Sequence, residues 1–172
     1  MVAETVTLVP GYIIRSASAE DVDLACEIAK KAWVPIHESF AAIMGEEMHA
    51  ILYANWEEGK AAQVRGHFEQ HPDWLFVVVD ERVQEVVGFI TFRMDEDKSL
   101  GEIGNNAIVP AVQGRGLGTA MHRFVLDRFR EMGLRFAAVS TGMDEGHGPA
   151  RRAYEKVGFD IAREDVTYYM EL

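Results

Sequence analysis

The fold of this chain is decided by a stretch that joins a strand to a helix, Pro110-Ala111-Val112-Gln113-Gly114-Arg115-Gly116-Leu117-Gly118-Thr119. Its three glycines let the backbone turn tightly and approach a ligand closely. The first turn of the following helix offers unpaired N–H groups and the positive end of the helix dipole. Arg115 adds a positive charge beside them. The stretch therefore predicts a binding site for phosphate.

The helix after this turn is predicted to be amphipathic and to end at Gly133, which stands where a C-terminal cap belongs. Its two faces are distinguished by the helical spacing of apolar side chains. The apolar face comprises Leu117, Met121, Phe124, Val125 and Met132, and the opposite face His122, Arg123, Asp127 and Arg130.

Upstream of the turn, β-branched and aromatic runs predict three consecutive strands at residues 74–79, 86–92 and 102–109. A short strand at residues 12–15 precedes a helix that Ser18 caps, with Asp21 in the capping-box position. Pro35 is expected to interrupt or restart that helix. Residues 36–70 remain helical in pattern but irregular, with expected breaks at the glycines Gly45, Gly59 and Gly66.

Downstream of the turn, the sequence predicts a strand at residues 136–140, a short helix between Pro149 and Gly158, and a last strand at residues 166–170. Hairpins imply antiparallel pairing and β-α-β units imply parallel crossovers. The expected fold class is therefore α/β, with a mixed, mostly antiparallel sheet of six to seven strands and helices on both faces. Residues 1–10 are expected to form a tail and residues 11–172 one domain.

Composition narrows the classes of function. The chain has 172 residues and one cysteine, Cys26, which excludes an intrachain disulfide and a thiolate-based zinc site. A net charge of −11 argues against nucleic acid as a partner and mildly favours a cationic substrate, although it also serves solubility. No apolar run is long enough for a membrane span, and the first residues lack the pattern of a signal peptide. A cytoplasmic protein is expected.

The glycine turn alone leaves its ligand open. A Walker A loop would end in Gly-Lys-Ser or Gly-Lys-Thr, and this turn has no lysine. The dinucleotide fingerprint follows the first strand of a repeated β-α-β fold, whereas this turn follows a hairpin. A tight strand-to-helix connection without any ligand is the plain structural alternative.

Two motifs together resemble the GNAT superfamily of acyl-CoA-dependent N-acyltransferases. Gln113, Gly116 and Gly118 match the cofactor loop Q/R-x-x-G-x-G/A of that family, after a similar strand end at residues 107–110. About 30 residues later, Ala150-x-x-x-Tyr154-Glu155-Lys156-Val157-Gly158-Phe159 resembles its second signature. The resemblance implies acetyl-CoA as cofactor, CoA as product and no metal. It also implies an amine substrate, a possible homodimer and contacts to the cofactor from Ile108, Val109, residues 113–119 and His147.

The resemblance also assigns catalytic residues. Tyr154 is the expected proton donor to the leaving thiolate, and Glu102 the expected base for the amine; a core tyrosine and a solvent-facing glutamate are the alternatives. Strand alternation places Glu102 and Asn106 on one face unless a bulge intervenes. A backbone N–H around Ile108 or Val109 would stabilise the oxyanion. His147 stands where many relatives carry asparagine, and it could contact pantetheine or act as a base.

The expected function is direct transfer of an acetyl or other short acyl group from CoA to a primary amine in a ternary complex. The alternatives are an acyl-CoA-binding regulator without turnover and, third, a nucleotide-binding module. The amine pocket is expected near Trp33, His37, Phe40 and the loop of residues 141–146. Two other features are expected to be structural: the pair His67 and His71 on the surface, and Cys26 as a buried thiol.

Overall fold

In the computed structural model, which describes residues 5–172, six strands lie side by side in the order in which they occur in the chain. They are β1 (Thr5–Val9), β2 (Tyr12–Ser16), β3 (Leu75–Asp80), β4 (Glu85–Asp95), β5 (Leu100–Ile108) and β6 (Phe136–Val139). Neighbours from β1 to β5 are antiparallel, whereas β5 and β6 are parallel. The parallel pair needs a crossover, and the helix after the glycine turn supplies it.

Helices cover both faces of this sheet. They are α1 (Ala19–Met44), α2 (Glu46–Leu52), α3 (Trp56–Gln70), α4 (Leu117–Glu131) and α5 (Gly148–Lys156). One apolar cluster joins the sheet to α4 and the other joins it to α1 and α3. The expected mixed, mostly antiparallel sheet with helices on both faces is thus confirmed.

The two ends of the chain differ from the expectation. Residues 5–9 of the expected tail form β1, an edge strand tied to β2 through pairs such as Thr5 with Arg15; residues 1–4 lie outside the described part. The strand expected at residues 166–170 is wrong, because residues 159–172 adopt no regular structure and Tyr168 is 90% exposed. β-propensity describes a side chain's fit to a sheet surface, and this segment has no strand beside it.

The first helix agrees with the sequence at its start but not at its proline. Its capping box is confirmed, because the Asp21 carboxylate accepts the Ser18 N–H at 2.7 Å. The interruption expected at Pro35 is wrong: α1 continues to Met44. Proline removes one helical hydrogen bond, while buried side chains before and after it hold α1 against the sheet.

The breaks expected in residues 36–70 are confirmed at one glycine only. Gly45 separates α1 from α2 with a φ of +88°, whereas α3 runs through both Gly59 and Gly66. A glycine inside a helix costs only about 0.5–1 kcal/mol. Packing of α3 against α1 through buried Ala61 and Val64 outweighs that cost.

A bulge in β5 shapes the region where the site lies. Ile90 pairs with Asn106 but Phe92 pairs with Ile103, so β5 contains one residue more than β4 between these points. Pairing of β5 with β6 ends at Ile103 and Val139. Beyond that point the two strands no longer pair. One side of residues 104–108 still faces β4, but the other side faces an opening rather than a neighbouring strand. Bulges of this kind redirect side chains and end pairing.

Candidate active site

A cleft of about 1110 Å³ occupies the opening between β5 and β6. Its walls are α1 and α3 on one side, β5 at the base, and the loop before α5 with α5 itself on the other. It contains six of the residues predicted for the site, namely Glu102, Ile108, Val109, Gln113, His147 and Tyr154. Residues that the sequence indicated, and that lie far apart in the chain, therefore line one cavity.

The glycine turn lies beside the cleft and leads into α4. Gly114 and Gly116 have φ values of +76° and +81°, a left-handed conformation that favours glycine. Side chains at Gly114, Gly116 or Gly118 would meet nothing within 4 Å, so the space over the turn is open. The first N–H groups of α4 lack acceptors within the helix. This open row of N–H groups fits the pyrophosphate of CoA.

The other residues of the turn divide into exposed and anchoring groups. Arg115 is exposed and Thr119 is half-buried, whereas the Leu117 side chain belongs to the core under α4. The Gln113 side chain donates from Nε2 to the Ile108 carbonyl at 2.8 Å. The side chains of Leu117 and Gln113 therefore fix the turn at its two ends, so Leu117 can face a ligand only through its backbone N–H group.

Only one of the two expected oxyanion donors is available. The Val109 N–H donates to the Val87 carbonyl of the neighbouring chain segment at 2.9 Å. Because successive residues of a strand direct their N–H groups to opposite sides, the Ile108 N–H points away from β4. That side is the open edge of β5. Ile108 is thus the donor that faces the cleft.

Tyr154 is a buried tyrosine at the cleft wall, with 7% of its surface exposed. Asn106 donates from Nδ2 to its hydroxyl oxygen at 3.1 Å. Burial raises the pKa of Tyr154, and the hydrogen bond from Asn106 opposes that rise. The phenol therefore holds its proton at neutral pH, as a proton donor must.

The buried histidine beside Tyr154 was misplaced by the sequence analysis. His122, expected on the polar face of α4, is 2% exposed, and its ring centroid lies 5.0 Å from that of Tyr154. Its Nε2 lies 3.0 Å from Asn106 Oδ1. Burial lowers the pKa of His122 to about 4, so the ring is neutral near pH 7.

The buried face of α4 is wider than expected and includes His122. Met132, expected on the apolar face, is 45% exposed because it follows the last turn. The signal in the sequence was Leu126, which lies four residues after His122 and therefore on the same side of the helix. The buried side chains of α4 are Leu117, Met121, His122, Val125, Leu126 and Phe129.

Glu102 lies on the opposite face of β5 from Asn106, because of the bulge. Strand alternation without a bulge would have placed the two together. Ile103 packs into the cluster under α4, so Glu102 points to the face that carries α1 and α3. Its carboxylate is exposed, lines the cleft and is in register with Arg93 of β4. Glu102 and Tyr154 thus approach the cleft from different sides.

His147 lies at the start of α5 and lines the cleft. Its Nδ1 is 2.5 Å from Asp144 Oδ2, which leaves Nε2 as the ring nitrogen for another partner. Arg151 binds the carbonyls of Gly142 and Asp144 and so holds this loop in place. Asp144 of this loop therefore orients the His147 imidazole.

The residues expected to form the amine pocket are brought to the cleft only in part. Trp33 lines the cleft, while His37 is buried in an aromatic cluster and stacks on Trp56 with centroids 4.0 Å apart. Lys60, which the sequence analysis missed, places Nζ 4.1 Å from the centre of the Trp33 ring and 3.2 Å from Asn105 Oδ1. Burial lowers the pKa of Lys60 to about 8. Asn105 therefore faces α3, whereas Asn106 faces α4 and α5.

Cys26, His67 and His71 were expected to be structural, and they contact residues other than those predicted to be catalytic. Cys26 is buried as expected, with Sγ 3.3 Å from the Ala61 carbonyl. His67, expected on the surface, is buried and lies 3.3 Å from the Trp74 carbonyl, whereas His71 stacks on the Trp74 ring. Among residues 5–172, no group of three or more His, Cys, Asp or Glu side chains could hold a metal ion. Within the same range, no helix is both long and apolar enough to cross a membrane.

Comparison with known proteins agrees with this geometry. The sequence model of the acetyltransferase (GNAT) family matches residues 37–159, which contain the glycine turn and the Tyr154 helix. The chain belongs to the GNAT acetyltransferase family. Within this family, the fold resembles the crystal structure of the PaiA N-acetyltransferase from Thermoplasma acidophilum in complex with coenzyme A, with a TM-score of 0.71 and 16% identity over 90% of this chain and 92% of that one.

Curated relatives of this GNAT chain include two mycothiol acetyltransferases. The protein from Mycolicibacterium gilvum is 31% identical over 116 residues, covering 66% of this chain and 38% of the relative. The protein from Thermomonospora curvata is 34% identical over 112 residues, covering 65% and 35%. The matched region thus spans less than two fifths of the length of either relative.

Proposed function

We propose that this GNAT chain transfers an acetyl or other short acyl group from CoA to a primary amine by direct attack in a ternary complex. The observation that carries the proposal is the cleft itself. It joins the open edge of β5, with the Ile108 N–H, to the buried hydroxyl of Tyr154, and it lies beside an unobstructed glycine turn at the start of a helix.

The glycine turn and the start of α4 hold the pyrophosphate of CoA through backbone N–H groups and Arg115. His147 contacts the pantetheine arm through Nε2. Acetyl-CoA supplies the thioester when it is bound. The Ile108 N–H stabilises the thioester oxygen as it gains negative charge, since a fixed donor aimed at developing charge lowers the barrier.

Two side chains move the protons of the reaction. An alkylammonium group has a pKa near 10 and must lose a proton before its nitrogen can attack. Glu102 accepts that proton from the side of α1 and α3. As the carbon–sulfur bond breaks, Tyr154 donates its proton to the departing thiolate. The acylated nitrogen loses its second proton to water, and the Tyr154 phenolate recovers a proton from water. The products are an N-acyl amine and free CoA.

The acceptor binds between α3 and the bulge of β5, where Trp33, Gln63 and Asn105 line the cleft. It is a small-molecule or peptide amine. The acceptor of the mycothiol acetyltransferases is one candidate, because a relative of that name matches 66% of this chain.

The test is release of free CoA from acetyl-CoA in the presence of a panel of small amines, peptides and the acceptor of the mycothiol acetyltransferases. Tyr154→Phe is expected to lower kcat by about a hundredfold with little change in KM for acetyl-CoA, as for loss of a general acid. Glu102→Gln is expected to lower kcat most at the acidic end of the profile.

Matched controls separate these effects from general damage. Tyr12→Phe removes the hydroxyl of another buried tyrosine, which binds Arg82 far from the cleft. Glu85→Gln neutralises a glutamate at the opposite end of the sheet. Both are expected to keep parental kcat. If acetyl-CoA binds but no amine releases thiol, the transferase proposal fails and a CoA-binding role replaces it.

A further inference from the structure

Tyr154 ends a chain of buried polar groups that crosses from α4 to α5 through β5. His122 Nε2 lies 3.0 Å from Asn106 Oδ1, and Asn106 Nδ2 lies 3.1 Å from the Tyr154 hydroxyl. Both end residues are almost completely buried. The general role proposed for Tyr154 does not by itself require either of the other two residues.

The orientation of the Asn106 amide is set by a third contact. Asn106 Nδ2 also lies 3.0 Å from the Gly104 carbonyl, which can only accept a hydrogen bond. Turning the amide over would set its oxygen against that carbonyl. One Nδ2 hydrogen therefore goes to Gly104 and the other to Tyr154.

This orientation fixes the protons at both ends of the chain. Because Asn106 Oδ1 only accepts, His122 must carry its proton on Nε2. At the other end, the Tyr154 oxygen accepts from Asn106, so the phenolic proton is not used in that bond. It is directed elsewhere, and Tyr154 lines the cleft.

The Nδ1 atom of His122, on the side of the ring away from Asn106, is unfavourable for stability. His122 Nδ1 is buried and has no hydrogen-bond partner among the described residues. An apolar side chain would avoid the unsatisfied Nδ1, but it would leave Asn106 Oδ1 without the donor that His122 supplies. The neighbouring buried positions of α4, Met121, Val125 and Leu126, are all apolar. Packing alone therefore does not account for a histidine here.

We propose that His122 and Asn106 are positioning residues that orient the Tyr154 hydroxyl, so that its oxygen accepts from Asn106 and its proton faces the cleft. The same Asn106 N–H stabilises the phenolate that forms when Tyr154 gives up its proton to the thiolate. His122 acts through Asn106 and does not touch the reacting atoms. The inference rests on the proposed function, in which Tyr154 is the acid.

Three variants separate positioning from packing. His122→Leu keeps an apolar filling but removes the donor to Asn106. His122→Gln keeps an N–H donor on a side chain of similar reach. Met121→Leu is the control, because it alters a buried neighbour on the same helix and leaves the polar chain intact.

The first readout is ionisation of the Tyr154 phenol, followed by the near-ultraviolet absorbance of tyrosinate, with Tyr154→Phe subtracted to isolate this residue from the other tyrosines. Without the His122 donor, Asn106 keeps only its contact with the Gly104 carbonyl, so its amide is held less rigidly and its N–H stabilises the phenolate less. His122→Leu is therefore expected to raise the pKa of Tyr154 by about half a unit to one unit. His122→Gln and Met121→Leu are expected to titrate as the parent protein does.

The second readout is acetyl transfer. His122→Leu is expected to lower kcat about tenfold at unchanged KM for acetyl-CoA, and to move the basic limb of the kcat profile to higher pH. His122→Gln is expected to restore most of kcat. A folded His122→Leu variant with parental phenol titration and a parental pH profile would overturn the proposal.

The two readouts also separate this inference from the proposed function. The phenol titration needs no acyl transfer, so it decides the positioning role even if no amine is acylated. If the titration shifts but acetyl-CoA is never turned over, the proposed function fails while the polar chain stands. If turnover is normal and the titration is unchanged in His122→Leu, only the positioning role fails.

Discussion

Acid should destabilise this protein through His122, and the His122→Gln variant should remove that part of the effect. Burial lowers the pKa of His122 to about 4, whereas an unperturbed histidine has a pKa near 6.5. The unfolded chain therefore binds a proton at a higher pH than the folded protein does. The stability that the neutral ring provides is complete above about pH 6.5 and is lost as the pH falls towards 4.

The size of the effect follows from these two pKa values. Between about pH 7 and about pH 5, proton binding to the unfolded state alone lowers the free energy of unfolding by about 2 kcal/mol. Burial of His37 lowers its pKa to about 4 as well, but that contribution is present in parent and variant alike and cancels in the difference.

The assay is urea unfolding of the parent, His122→Gln and Met121→Leu at both pH values. The parent is expected to lose about 2 kcal/mol more than His122→Gln on acidification, whatever the variant's stability at neutral pH. Met121→Leu keeps the histidine and should show the parental pH dependence. Equal losses in the parent and in His122→Gln would refute the claim that this ring is buried and neutral.

Three further substitutions test the geometry around the cleft. Gly116→Ala forces a side chain into a left-handed conformation and should lower the free energy of unfolding by about 1 kcal/mol, measured by urea unfolding. Gly118→Ala meets open space in the free protein and should leave stability intact, yet it should weaken CoA binding about tenfold in calorimetry if phosphate occupies the turn; unchanged affinity would argue against that cradle. In Gly146→Ala the new carbon would lie 2.8 Å from Ile36 Cα and from the Pro35 carbonyl. The free energy of unfolding should therefore fall by about 1–3 kcal/mol, and KM for acetyl-CoA should rise. Parental values for both would contradict the tight contact of this loop with α1.

The parts of the fold that local chemistry determines were predictable from the sequence. The strands β3, β4 and β5 have apolar runs bounded by turn residues, and the Ser18–Asp21 capping box marks the start of α1. The glycine turn requires two left-handed residues and has glycine at both. In these segments the local preference and the tertiary structure agree.

The errors arose where tertiary contacts outweigh local preference. Pro35 and Gly59 remain inside helices because the helices pack against one another and against the sheet. Residues 166–170 have strand propensity but no neighbouring strand. Helical spacing could group His122 with Leu126, but it could not show the polar partner of His122, since that is Asn106, which the β5 bulge turns towards α4.

For the candidate site, the sequence indicated several residues that line one cleft, but it did not indicate their geometry. The two motifs indicated Gln113, at the start of the glycine turn, and Tyr154, and both line one cleft. The choice between the Ile108 and Val109 N–H groups required the hydrogen bond from Val109 to Val87. No sequence motif indicated Lys60, because its position over the Trp33 ring results from the packing of α3.

The most direct test of acyl transfer is a mass balance in a single reaction, with free CoA and N-acylated amine quantified together from acetyl-CoA and an active amine. The account predicts that the two products form in equal amounts, that neither forms without the amine beyond slow hydrolysis, and that Tyr154→Phe slows both equally. Thiol release without acylated amine, or binding of acetyl-CoA with no product from any amine, would contradict it.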